Sequence, residues 1–359
     1  MKINIIGPFP PPYGGISVHV KRMMLFLSNN NVEVNIYNES KDCINSSKNI
    51  LQIGNYRKFI FKLPFLKCDI IHFHSINRNI RILMGFFKIF NKKLVLTIHG
   101  ESLHDQLHQS NWIYRRLLLF SIKKINKIVC VNLNTINELI DLGVNNKNLS
   151  YIPAFISPIE SEQDFNNIPQ SVRDFIEDSK FLISANGWVR FYNNEDLYGL
   201  DMLIELVRKL KDRGYNVSLL IGLLGTELEN HNEKSYYEGL KNKINEYNIQ
   251  NYIMIFEVKD TEFYPILKKS KLFLRPTNTD GDAVSIREAL YYKIPTIASD
   301  VVKRPEGTIL FKTRDVDDLY KKAIDVIDNN FYYKQKINNI KIEDNSKKLL
   351  NVYKELIKT

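Results

Sequence analysis

Short β-branched runs alternate with helix-spaced apolar residues along this chain, stop, and then start again; this doubled rhythm constrains the fold more than any other feature. Residues 2–6, 32–37, 69–73, 93–98, 127–131 and 150–152 read as buried strands of a parallel sheet. Between them 18–27, 79–90, 111–125 and 135–142 carry apolar residues at helical spacing. From Pro153 to about Ser179 the chain turns to Pro, Ser, Asn and acids without a strand run, which marks a domain junction. The alternation resumes with strands at 181–185, 217–222, 252–256, 272–275 and 296–298 and helices at 201–213, 262–269 and 284–292. Two doubly wound α/β domains follow, with ligand expected where strand C-termini meet the interdomain cleft.

Length agrees, since 359 residues exceed what one core usually supports. The composition, 44% hydrophobic and 25% charged, is that of a globular chain and excludes a disordered one. No apolar run approaches the roughly 18–20 residues that span a bilayer, and the first strand is too short for a signal-peptide core, so a cytoplasmic protein is expected. Cys43, Cys68 and Cys130 are odd in number and widely spaced, which points to small apolar residues and not to a disulfide or zinc framework. The net charge of +10 is uneven: through Phe155 there are 20 Lys and Arg against 8 Asp and Glu, and beyond it 30 against 32. One half therefore faces an anionic partner, whether nucleic acid, membrane or phosphorylated substrate.

Two segments carry chemistry. After the first strand, Gly7-Pro-Phe-Pro-Pro-Pro-Tyr-Gly14-Gly15-Ile16 leads into a helix. It lacks the GxGxxG spacing of a dinucleotide site, but places two glycines at a helix N-terminus, where free N–H groups favour an anion such as a diphosphate. A plain tight connection accounts for it equally well. The second segment, Arg275 to Leu290, sets Asp280 and Glu288 eight residues apart across a strand-to-helix turn, with the amides of Val284 and Ser285 between them. A loop acid can hold sugar hydroxyls, a helix acid a ribose diol, and the amides phosphates. Ser285 and Glu288 are also spaced as a capping box, which needs no ligand.

The acid-x7-acid segment, the proline–glycine turn and Thr97-Ile98-His99-Gly100 together resemble the retaining glycosyltransferases of the GT-B fold, the large family 4 group, over nearly the whole chain. The resemblance implies two Rossmann-like domains facing a deep cleft. Residues 1–165 are then an acceptor-side domain and 170–340 a nucleotide-sugar donor domain, with a C-terminal helix at about 340–359 packing back on the first. It implies transfer from a UDP- or GDP-sugar to a saccharide or lipid-pyrophosphate-linked acceptor in bacterial surface polysaccharide or glycan biosynthesis, with no metal or other cofactor. Gly14 and Gly15 then bring amides to the diphosphate, and His99 sits over the donor sugar. Arg190 neutralises the leaving diphosphate, Asp280 with Gly281 holds sugar hydroxyls, Val284 and Ser285 meet phosphates, and Glu288 holds the ribose. His74 and Glu101 fall on the acceptor side.

The sequence departs from that pattern in three places. The first acid is Asp280 where Glu is usual. Arg190 stands three residues beyond Gly187 instead of beside it, and Tyr198, before Gly199, takes the place of a lysine, so the second positive charge on the diphosphate is unassigned. Asp280-Gly281-Asp282 imitates a DxD metal motif that belongs to a different, single-domain architecture. His72 and His74 flank Phe73 and share a side; a metal pair is conceivable, but His72 reads as a packed core histidine. No side chain presents itself as an enzymatic nucleophile.

A nucleotide-sugar epimerase of the same fold and a non-catalytic module binding an anionic ligand are the alternatives. For the basic half, Arg57, Lys58, Lys62 and Lys67 interleave with large apolar residues, and Trp112, Arg116, Leu119 and Lys123 recur at helical spacing. That pattern suits the anionic inner face of a plasma membrane, and no nucleic-acid motif accompanies it.

Overall fold

The computed structural model describes residues 1–40, 48–90, 92–100, 102–281 and 283–358. They form two compact units, Met1–Ile159 with Asp344–Thr359, and Glu160–Glu343.

In the first unit seven parallel strands, β1 (Lys2–Gly7), β2 (Glu33–Asn38), β3 (Ile50–Gln52), β4 (Ile70–Phe73), β5 (Lys93–Ile98), β6 (Lys127–Cys130) and β7 (Leu149–Tyr151), lie in the order β3-β2-β1-β4-β5-β6-β7. The helices are α1 (Gly15–Asn29), α2 (Tyr56–Lys62), α3 (Arg78–Phe87), α4 (Ser102–Gln109), α5 (Trp112–Lys124) and α6 (Leu133–Asp141). Asparagines set several starts: the side chains of Asn55, Asn77, Asn111 and Asn132 accept the first N–H groups of α2, α3, α5 and α6. Asn111, counted above as helical, is thus a cap. Strand side chains alternate between faces. Ile3 and Ile5 pack with Val20, Met23 and Leu27 of α1, whereas Ile6, Phe73 and Leu96 pack with Ile80 and Met84 of α3 and Leu118 and Ile122 of α5.

The second unit opens with α7 (Glu162–Asn166) and α8 (Gln170–Glu177), both inside the stretch that lacked a strand pattern. Its sheet holds β8 (Leu182–Gly187), β11 (Ser218–Leu224), β12 (Ile253–Val258), β13 (Leu272–Arg275), β14 (Thr296–Ser299) and β15 (Thr308–Phe311), in the order β12-β11-β8-β13-β14-β15, all parallel. A hairpin, β9 (Phe191–Tyr192) with β10 (Glu195–Asp196), stands apart. Helices α9 (Leu200–Asp212), α10 (His231–Glu246), α11 (Tyr264–Lys269), α12 (Val284–Tyr291), α13 (Val316–Asp328) and α14 (Asn330–Asn338) complete it. The chain then returns to the first unit as α15 (Ser346–Lys358), whose Leu349 and Tyr353 join the core under α1.

Candidate active site

Each unit collects polar side chains at the C-terminal ends of its strands. In the first, β1 pairs with β2 on one side and β4 on the other, so the topology switches there, the place beyond the strand ends where open α/β sheets take ligands. The turn into α1 lies at that end. The Gly14 N–H donates to the Pro12 carbonyl (3.0 Å) and to Ser17 Oγ (2.9 Å), so the turn itself engages that amide. The N–H groups of Gly15 and Ile16, first in the helix, have no partner within it. A Cβ on exposed Gly15 would meet nothing within 4 Å, so packing within the unit does not require glycine there.

Four histidines gather beside this turn. His74 follows β4, held by its N–H to the Ile6 carbonyl (2.7 Å), and Gly7 makes room for it, since a Cβ there would lie 2.8 Å from the His74 Cβ. His99 follows β5; its carbonyl accepts the Ser102 hydroxyl (3.0 Å), and Gly100, at φ +56°, supplies the left-handed turn between them. His74 Nδ1 and His99 Nε2 share a hydrogen bond of 3.0 Å. His19, one turn into α1, places Nδ1 2.7 Å from the Ala154 carbonyl. His72 bonds Tyr353 (2.6 Å) and Thr97 (2.8 Å), a satisfied core histidine as its strand position predicted. His99 is half-buried and the other three are buried. Burial lowers all four: His19 to about 4, with Arg22 adding to it, and His72 to about 3, while His74 and His99 sit well below the usual range, each pressed further by neighbouring rings. The imidazoles are neutral at pH 7. Buried Arg81 braces the loops around them through the Ser75 carbonyl, Gln106 and Ser102.

In the second unit the switch lies between β8 and β13. Arg275, at the end of β13, grips Asp280 through Nε (3.1 Å) and Nη2 (3.3 Å). Arg304 donates to Asp280 Oδ2 (2.9 Å), as does Thr277 (3.2 Å), and the Gly281 N–H donates to Oδ1 (3.0 Å). Five donors occupy a carboxylate with about four lone-pair sites. Burial raises the Asp280 pKa, but Arg275 and Arg304 outweigh it and hold the carboxyl below its ordinary value. The acid expected to grip sugar hydroxyls is therefore turned onto two arginines, because Arg304, 24 residues away in sequence, folds back onto it.

Tyr198, in the lysine's place, packs its ring against Gly187, where a Cβ would lie 2.7 Å from it, and the Arg275 guanidinium stands 4.9 Å from its centroid. Burial raises the Tyr198 hydroxyl, opposed by the charges of Arg275 and Arg190. Arg190 pairs with Glu233 of α10 at 2.8 Å. Glu288 is buried as the fifth residue of α12, in its second turn. The capping box does not form: the N-cap is Ala283, without a side-chain cap, and Ser285 is already the second helical residue. The amides of Val284 and Ser285 thus stand at an uncapped helix start. Glu101, Cys43 and Asp282 lie outside the described residues; Cys68 is half-buried and Cys130 buried.

The sequence reading missed His19, Arg275, Arg304 and Glu233. His19 carried a signal, standing four residues after Gly15 and so above it on α1, and Arg275 stands only five residues before Asp280 in the same segment; the pairings of Arg304 with Asp280 and of Glu233 with Arg190 are long-range and left none.

The basic half of the first unit exposes aromatic residues among cations. Phe61 and Phe65 are 79% and 76% exposed and Trp112 68%. Phe65 meets Phe90 at 6.0 Å and Phe86 meets Phe120 at 5.9 Å, while Arg116 lies over Trp112 and Lys124 over Phe120. Leu119, expected on this face, is instead half-buried against the core, and Ile113, Leu117 and Phe120 take the surface. Among the described residues no helix is long and apolar enough to cross a membrane.

Comparison with known proteins identifies both units. The family described as Glycosyltransferase Family 4 matches residues 13–159, and Glycosyl transferases group 1 matches residues 192–343. No curated protein sequence matches the chain significantly. Among solved structures, a glycosyltransferase from Rickettsia africae is 15% identical with a TM-score of 0.70, over 100% of this chain and 99% of its own. HepE of Anabaena, solved in complex with UDP, is 12% identical with a TM-score of 0.67 over 99% and 100%. The UDP-forming α,α-trehalose-phosphate synthase of Burkholderia xenovorans is 11% identical with a TM-score of 0.71 over 100% of both chains. The α/β fold of two parallel sheets is that of the GT-B glycosyltransferases.

Proposed function

The chain is a glycosyltransferase of family 4, group 1, and from that membership we propose that it moves a sugar from a UDP- or GDP-linked donor to a saccharide hydroxyl, with retention and without a metal ion. One observation carries this reading. Beyond the ends of β8 and β13 the Arg275 guanidinium stands 4.9 Å from the ring of half-buried Tyr198, Arg190 adds its charge there, and the uncapped start of α12 follows four residues after Asp280. Fixed donors of this kind stabilise the charge that builds on a departing diphosphate. The neighbours solved with UDP and UDP-glucose support the choice of donor class.

In the proposed step the acceptor oxygen bonds to the anomeric carbon as the bond from that carbon to the phosphate oxygen breaks. The electron pair stays on the diphosphate, which takes up the acceptor's proton on the same face. Arg190 meets the diphosphate after leaving Glu233, and Arg275 supplies the charge that Tyr198 cannot. Asp280 positions Arg275, Gly281 lets its loop approach the sugar, the amides of Val284 and Ser285 meet phosphates, and Glu288 takes the ribose. In the first unit His99 acts on the sugar, the Gly15 amide on the donor with Gly14 shaping the turn, and His74 and Glu101 serve the acceptor. Residues 1–165 thus serve the acceptor and 170–340 the donor.

The exposed aromatic and basic surface of the first unit supports an acceptor held at an anionic membrane, a lipid-pyrophosphate-linked saccharide of bacterial surface polysaccharide synthesis at the cytoplasmic face. Thermal shift across a panel of nucleotide sugars tests the donor: one UDP- or GDP-sugar should raise the melting temperature, since a ligand of the folded state stabilises it. Nucleoside diphosphate should then appear when acceptor is added. Stabilisation without release would leave a binding module, and no stabilisation by any nucleotide sugar would overturn the reading.

A further inference from the structure

His19 is prepared to bind something other than protein. Only a donor can bond a carbonyl oxygen, so the proton of this neutral ring sits on Nδ1, facing Ala154 at 2.7 Å. Nε2 is then a bare lone pair, and it is buried without a partner among the described residues, as is His74 Nε2. A ring that donates its far N–H to a backbone carbonyl while its other nitrogen stays bare is the arrangement of metal-ligating histidines. Two more neutral imidazoles converge on it: one ring nitrogen from each of His19, His74 and His99 lies within 4.8 Å of the other two. The half-buried His99 gives the group its opening.

We propose that His19, His74 and His99 form a binding site for one borderline divalent ion of the zinc class, Zn²⁺, Co²⁺, Ni²⁺ or Cu²⁺. Imidazole nitrogen suits these ions, and three protein ligands leave a fourth position for water. Zn–N bonds of about 2.0–2.1 Å set tetrahedral ligand nitrogens about 3.3 Å apart, which His74 and His99 nearly satisfy at 3.0 Å. Rotation of the rings closes the rest, and the proton now shared by His74 and His99 moves to the outer nitrogen of its ring. His72 takes no part, because Tyr353 and Thr97 engage both its nitrogens. The ion occupies His99, so it inhibits sugar transfer; this consequence rests on the role proposed above for His99, whereas the site itself does not.

A second group, the exposed His104 and His108 with half-buried Glu138, can also hold a metal, so the test begins from an untagged chain in which His104 and His108 are alanine. Titrated with Co²⁺ after removal of metal, this parent should show the intense visible bands of a four- or five-coordinate ion, saturating at one equivalent. His19→Asn keeps an amide donor for Ala154 and removes Nε2, and it should weaken Co²⁺ at least tenfold. His99→Ala, at a less buried position, should do the same if the buried variant fails to fold. Zn²⁺ should displace Co²⁺ and inhibit transfer, with EDTA restoring it. A parent showing only the weak spectrum of aqueous Co²⁺, or variants that titrate like the parent, overturns the site. Binding of Co²⁺ by a chain that binds no nucleotide sugar would instead overturn the proposed donor chemistry and leave the site standing.

Discussion

The histidine cluster of the first unit and the Arg275–Arg304 pair of the second bury nitrogen in opposite ways, although Arg22 and Arg81 lie buried beside the histidines. In the first, His19, His72, His74 and His99 shed their protons and lie buried or half-buried as neutral rings. In the second, Arg275 and Arg304 stay charged and are paired instead, both on Asp280. The choice follows from the side chains, since imidazole gives up its proton near neutrality whereas guanidinium does not. A neutral cluster can present lone pairs to a ligand, while a paired one presents fixed positive charge. The two units should therefore fail differently when perturbed.

Catalysis should show the largest effects. His99→Ala should lower transfer by roughly 10²–10³-fold, and Arg275→Gln by about 10²-fold, the scale for removing one charge-stabilising donor. If Arg275 replaces the absent lysine, adding Tyr198→Lys to Arg275→Gln should recover much of the lost kcat/KM. Steady-state kinetics with the identified donor checks this, and no recovery with a folded double variant would make Arg275 purely structural.

Stability should follow at the next scale. Asp280→Leu leaves two buried guanidiniums without their shared carboxylate and should cost about 3–5 kcal/mol in denaturant unfolding. His74→Leu removes a neutral ring that lacks a partner at Nε2, and should cost roughly 1–2 kcal/mol. Equal losses would erase the contrast between the units.

Acid should separate them as well. His19 and His72 have folded pKa values of about 4 and 3, below their unfolded value of 6.5, so the unfolded chain binds more protons between these limits. Their contribution is complete above pH 6.5 and is lost as pH falls, by about 1.4 kcal/mol per pH unit for each proton. In the second unit Asp280 is depressed and loses its contribution only below its ordinary range near 3.8. Asp196, raised by burial and by Asp201 to about 6, has the opposite sign: its contribution is present below 3.8 and lost as pH rises through 6. Hydrogen exchange at pH 7 and pH 5 should thus show the first unit opening while the second holds. Uniform loss of protection would contradict these assignments.

The smallest effect concerns the surface. Replacing Arg57, Lys58, Lys62 and Lys67 by Ser should weaken flotation with anionic liposomes by about 1 kcal/mol per cation, and salt should weaken it further. Equal recovery with neutral and anionic vesicles at low salt would remove the electrostatic part of membrane docking.

What the sequence disclosed tracks how local each feature is. Strands β5 and β13 stand at the bounds read from their apolar runs, because a strand buried on both faces needs continuous hydrophobic residues. Helix α10 escaped, since its buried stripe, Tyr237, Leu240 and Ile244, is thin within a charged segment, and β3 is only three residues long. In the site, the spacing of Asp280 and Glu288 was visible, but the partners that decide what Asp280 can do were not. Arg304 reaches it by tertiary folding alone, and His19 needs the Ala154 carbonyl, 135 residues on, to fix its tautomer.

The central claim is metal-independent transfer with retention, and ¹H NMR of a reaction run in EDTA tests it most directly. With an α-linked nucleotide sugar and a saccharide acceptor, the expected product carries the new linkage in the α configuration, with one nucleoside diphosphate released per linkage. A β-linked product, or activity that vanishes in EDTA and returns with magnesium or manganese, would contradict it.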